Sequence, residues 1–260
     1  MSLRTTSLVF FGAALIAIAP LAAVPTASAG PAEPGTTLHP AQAASGWLAT
    51  ELEAKDGMLT VSFGGPDEYA DQGLTIDAVL ALVAAGQGDD PAVALTQAAL
   101  ADQLVPYVTG FSTEAADRAA NAVAKTLLLE EVTGTDVSPG YDLAADLRSL
   151  MEPDGDDAGR FSDTDLLGYG NYANGIGQAL AVLALERTAG GVPAAAVEYL
   201  VDQQCSDGSF RLYQFGYVLS FDPYETVESH TCSDQAEGDP DATAFALQAL
   251  LAVPATPGVA

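Results

Sequence analysis

Positive charge is what this chain has least of. Eight Lys and Arg stand against 35 Asp and Glu, a formal net charge of −27. A phosphate backbone is held by Lys and Arg, and the cations after Arg4 are scattered singly, at Lys55, Arg118, Lys125, Arg148, Arg160, Arg187 and Arg211. Nucleic acid is therefore excluded as a partner. A prenyl diphosphate substrate, which needs clustered cations or a metal, is disfavoured for the same reason. The acidity reads as a solvated surface that keeps an exported chain soluble, with an acidic ligand-binding face as the alternative.

Histidine and cysteine are nearly as scarce, with only His39, His230, Cys205 and Cys232. In an exported chain a lone cysteine pair predicts a disulfide, here Cys205–Cys232, and two free thiols are the alternative. A catalytic Cys has little support, since its natural partner His230 sits in the same polar loop with no orienting group beside it. No nucleophile elbow and no Asp-Asp-x-x-Asp metal motif is present. The acidic run Asp154 to Asp165 suggests calcium. It lacks the EF-hand pattern of alternate oxygen ligands with Gly at the sixth and Glu at the twelfth position, which leaves a solvated acidic loop as the alternative. The sequence thus points to no metal and no cofactor.

Uninterrupted apolar stretches are missing as well. Arg4 precedes the apolar run Leu8 to Ala23, and Ala27-Ser28-Ala29 before Gly30 has the form of a small-residue cleavage site. This predicts a secretory signal peptide over residues 1–29. A retained anchor would need about 20 continuous apolar residues, whereas Pro20 and Pro25 break this one. The expected mature chain is secreted and is not stably inserted in a membrane.

What the chain does have is a repeat. After a linker at 30–38, outer helices are predicted to begin near Pro40, Pro91, Tyr141 and Pro193. Inner helices are predicted over Gly73 to Gly86, Arg118 to Gly134, Tyr172 to Gly190 and Asp241 to Val253, a period of about 50 residues. In the first outer helix Ala44, Trp47, Leu48 and Leu52 fall at helical spacing, so Trp47 is expected in the core. The last inner helix is apolar around most of its circumference and is expected to be surrounded by other helices. The domain spans residues 39–254 and a tail covers 255–260. Between Phe210 and Tyr224 come six aromatics in fifteen residues, a stretch that either covers a core or forms a ligand surface.

Four such hairpins, with Gln204-x-x-x-Gly208-x-Phe210 after an outer helix and Asp239-x-Asp241-x-Thr243-Ala244 opening an inner one, resemble the all-α, α/α toroid of terpene cyclases and prenyltransferase β subunits. The chain is most similar to secreted actinobacterial proteins with the prenyltransferase and squalene-oxidase repeat. That resemblance implies a toroid or part of one. Closed toroids of this kind have five to seven hairpins, so four imply an open crescent, a homodimer or a shortened gene model. It also implies a general acid at Asp241, with Asp239 and Thr243 in the same motif; Ala242 stands where the family has a further Asp. Helix capping by Asp239 or Asp241 is the structural alternative. Tyr169, Tyr172 and Asn174 would line the cavity mouth, with an aromatic packing turn in which Asn174 caps the helix as the alternative; Tyr213, Phe215 and Tyr217 would join them if the aromatic loop forms a ligand surface. The zinc triad of the prenyltransferases cannot be assembled from these residues. The function implied first is a non-catalytic module for an apolar or cell-surface ligand; a terpene cyclase-like enzyme and a corrinoid carrier are the alternatives.

Overall fold

Aspartate and proline set most of the helix starts. The computed structural model describes residues 40–164, 171–213, 231–232 and 238–254, all within the compact unit that begins at His39. These residues are mostly helical. In chain order they form α1 (Pro40–Ala54), β1 (Thr60–Val61), β2 (Tyr69–Ala70), α2 (Gln72–Ala84), α3 (Pro91–Ala101), α4 (Leu104–Val108) and α5 (Ala120–Thr133). There follow α6 (Leu143–Ser149), α7 (Gly175–Arg187), α8 (Ala194–Asp202), β3 (Phe210–Arg211), β4 (Gly238–Asp239) and α9 (Pro240–Ala252). The strands make two short antiparallel pairs, β1 with β2 and β3 with β4.

The expected period is present. The helices α1, α3, α6 and α8 start at Pro40, Pro91, Leu143 and Ala194, at intervals of 51, 52 and 51 residues. The helices α2, α5, α7 and α9 follow them and form the packed row, α2 against α5, α5 against α7, α7 against α9. On its flank α6 packs on α5, α8 on α7, and α1 and α3 on α2 and on each other. The centre of the row is the most deeply buried part. Along α7, Gly175, Gly177 and every residue from Gln178 to Val182 are buried. Small residues allow that closeness, since a Cβ on Gly177 would collide with the Asn121 side chain of α5.

Two hydrophobic clusters result. One joins α5 to α9 around Phe161 and Phe210, the other joins α1, α2 and α3, and Leu80 and Tyr107 pack against both. Among the described residues no helix is long and apolar enough to cross a membrane.

Two expectations are corrected here. Trp47 is 63% exposed, because α1 turns Ser45, Ala49 and Leu52 inward and Trp47 lies off that face. The helix α9 is not surrounded. It ends the row, burying Ala242, Ala246 and Ala249 while Leu247 is exposed and Leu251 is 85% exposed.

One pairing is fixed covalently. Cys205, just after α8, is disulfide-bonded to Cys232 across 27 residues. Loop-closure entropy for that length corresponds to about 3 kcal/mol. We expect Cys205→Ser with Cys232→Ser to lower the free energy of unfolding by this amount, measured by urea denaturation. Adding reductant to the native protein should reproduce the loss, and a variant as stable as the parent would contradict it.

Candidate functional site

The heads of the inner helices share one design. Asp71, Asn174 and Asp239 cap α2, α7 and α9, accepting from the amides of Leu74, Gly177 and Ala242. Four residues further on, Thr75, Gln178 and Thr243 each accept a bond from the backbone of the preceding connection. The donors are Leu59 N at 3.0 Å, Phe161 N at 3.0 Å and Phe210 N at 2.9 Å. Thr75 and Thr243 also donate to the carbonyls of their own caps, each at 2.6 Å. At Asp71 and Asp239 the spacing Asp-x-x-x-Thr thus ties a connection to a helix head.

The helix α5 departs from this design. Its N-cap residue is Ala119, which has no side chain able to cap. Asp163, carried by the connection from α6 to α7, takes over the task. One carboxylate oxygen accepts from Ala120 N at 2.7 Å and the other from Tyr172 N at 2.8 Å.

These bonds gather the four heads at one end of the row. The Tyr107 hydroxyl of α4 lies over Gly73 of α2, and Val108 O accepts from Ala119 N at 2.9 Å. Asp163 joins the head of α5 to Tyr172, Gly175 N of α7 donates to Leu212 O at 2.6 Å, and Phe210 pairs with Asp239 at the head of α9.

Several residues singled out from sequence meet here. Asp239 caps α9 and Thr243 anchors β3 to it. Asp241 lies on the exposed side of the first turn of α9 and does not share the depression beside it. That depression is open, with a volume of about 480 Å³, and is lined by Asp207, Ser209, Gly238, Asp239, Pro240 and Thr243. Hydrogen bonds from Ser209 hold the Asp207 carboxyl below the usual carboxylate range. Asn174 is a helix cap, and Tyr172 and Tyr213 are each 64% exposed. Tyr169, Phe215 and Tyr217 lie outside the described residues.

Sequence reasoning missed Asp163, Phe63, Tyr69 and Phe111. Phe63 (82% exposed) and Tyr69 stand in the connection before α2, with ring centroids 5.9 Å apart. Phe111, in the connection before α5, is exposed although its backbone has φ 60. Their position in the repeat, between an outer helix and an inner one, was the available signal.

Burial raises the proton affinity of two carboxyls despite their hydrogen bonds. Asp163 is pushed up by desolvation against the pull of its amide donors. Glu130 of α5 is pushed up in the same way, although Ser138 Oγ and the amides of Val137 and Ser138 donate to it. An acid with a raised folded pKa binds its proton more tightly folded than unfolded. Its contribution is therefore most favourable below the unfolded pKa and is lost as pH rises through the folded one. Glu68 and Asp207 shift the other way, but both are fully exposed and solvent weakens their effect. The urea midpoint is accordingly expected to rise as pH falls from 7 toward about 5, and Asp163→Asn with Glu130→Gln should flatten that rise. An unchanged slope in the double variant would contradict the assignment.

Among the described residues no group of three or more His, Cys, Asp or Glu is placed to hold a metal ion. Comparison of the chain with family models, curated proteins and solved structures finds no match.

Proposed function

We propose that the chain is a secreted, non-catalytic binding module of the prenyltransferase and squalene-oxidase repeat type. Its helix pairs build an α/α toroid or part of one, and the heads of the inner helices hold an apolar or cell-surface ligand. The observation that supports this is a pair of exposed tyrosines on fixed backbone. Tyr172 is tied by its own amide to Asp163, and Tyr213 follows the Leu212 carbonyl that Gly175 bonds. Large rings left in water on an anchored backbone at a helix end suit a contact surface.

The cyclase-like reading rests on Asp241. Protonating an alkene requires an acid kept in its neutral form by burial, and Asp241 is exposed at the start of α9. Asp239, with its carboxylate bonded to Ala242 N, acts as a cap in the same motif.

The test is saturable binding of a neutral apolar dye, followed by displacement with a polyprenyl alcohol. Tyr172→Ala with Tyr213→Ala is expected to weaken binding about tenfold, within what two aromatic contacts contribute, with an unchanged thermal midpoint. Asp241→Asn is expected to change nothing. Absence of saturable binding, or equal binding by the double variant, would refute the module reading. Conversion of a polyene that Asp241→Asn abolishes would establish the enzyme instead.

A further inference from the structure

We infer that the end of the molecule carrying the inner-helix heads is a docking surface for a cationic, arginine-rich segment of a partner protein. The inference builds on Tyr172 and Tyr213 as contact residues and extends the surface across all four units. The connections carry exposed rings: Phe63 and Tyr69 before α2, Phe111 before α5, Tyr172 before α7, and Tyr213 next to Leu212, whose carbonyl the head of α7 bonds. Neighbouring helices in a packed row lie about 8–10 Å apart. The rings before α2, α5 and α7 therefore belong to successive helices of the row.

Phe111 adds an independent argument. A bulky residue at φ 60 is costly, because its Cβ crowds its own backbone. The energy is spent holding a phenyl ring in solvent, where burial gains nothing, and strain of this kind is expected where a displayed side chain has a use.

Charge selects the occupant. Asp67, Glu114, Asp207 and Asp241 are exposed at the same end. The cations nearby are engaged or buried: Lys55 pairs with Glu68, Arg118 pairs with Asp146, and Arg160 and Arg211 are both buried. Helix dipoles would favour an anion here, but each supplies only about half a positive charge. Moreover, side chains already cap α2, α5, α7 and α9. The exposed carboxylates outweigh what remains.

A ring beside a carboxylate receives a guanidinium through its face and its fork together. An internal example is Arg118, which lies 5.1 Å over the Tyr141 ring while its Nε donates to Asp146 at 2.6 Å. Arginine suits the combination better than lysine, because only guanidinium is planar enough to stack and bond at once.

The experiment measures fluorescence anisotropy of a labelled peptide alternating eight Arg with Gly, against the full-length protein at low and at physiological salt. Alongside it run the Lys equivalent and a neutral oligosaccharide. Phe63→Ala, Phe111→Gly and Tyr172→Ala leave the net charge unchanged, and Gly at 111 removes ring and strain together. The triple variant is expected to bind the Arg peptide at least tenfold more weakly with its thermal midpoint retained. Trp47→Ala, an exposed ring on α1, should bind as the parent does, and the Lys peptide should bind several-fold more weakly than the Arg peptide.

Equal binding of the Arg peptide by parent and triple variant would overturn the inference, since acidity alone would then account for the attraction. Binding of the oligosaccharide but not of the Arg peptide would overturn it too, while leaving the module reading intact. That reading fails separately, if the apolar dye ignores Tyr172→Ala with Tyr213→Ala.

Discussion

Gly159→Ala is expected to lower the free energy of unfolding by about 4 kcal/mol. Two costs combine. Gly159 has φ 90, where an L side chain is strained, and a Cβ there would run into the backbone carbonyl of Ala195 at the start of α8. The helix would have to retreat. In doing so it would disturb Gln178, whose amide donates to Gly159 O at 2.9 Å and to Ala196 O at 3.1 Å. Each bond lost from a buried amide costs about 1–3 kcal/mol. Gly155→Ala is the matched control. Its φ of 80 is similarly positive, but a Cβ there meets nothing within 4 Å, so only the conformational cost of about 1 kcal/mol remains. Urea denaturation at constant m separates the two. Equal losses would show that the Ala195 contact does not matter.

Phe161→Ala should cost almost as much, about 3–5 kcal/mol, the range for removing a large buried ring. Phe161 is 1% exposed in the cluster that joins α5 to α9, and its amide donates to Gln178 Oε1. Truncation would leave a void among the side chains of that cluster while keeping the backbone bond. Phe161→Leu, which refills most of that volume, should cost less than about 1.5 kcal/mol. A Phe161→Ala loss no greater than that of Phe161→Leu would mean that the connection can collapse onto the space.

The helices were legible because their punctuation is local. Pro and Asp at the starts and Gly at the ends lie within a turn of the residues they affect, and outer-helix starts predicted at Pro40, Pro91, Tyr141 and Pro193 fall within two residues of those found. Which face of a helix is buried was less legible. Trp47 and Leu48 are adjacent in sequence, and hydrophobicity alone cannot tell which side of α1 the neighbours occupy; α2 and α3 take the side of Ser45, Ala49 and Leu52. At the candidate site, Asp239 could be read as a cap because it acts within its own helix. Asp163 could not, since the amide it serves lies 43 residues away. The exposed rings before α2 and α5 escaped notice because an aromatic in a short connection has no periodicity that marks it as inward or outward.

The arrangement around Asp163 also bears on how such a chain could be lengthened, shortened or recombined. Its period suggests interchangeable modules, each an outer helix followed by an inner one. Yet the second module cannot close its own inner helix and borrows a carboxylate from the third, which uses the same group to hold Tyr172. A fragment cut after Gly134 would contain every residue of α5 and still begin that helix with unsatisfied amides. The unit that can be copied and the unit that can stand alone are thus out of step by most of one repeat.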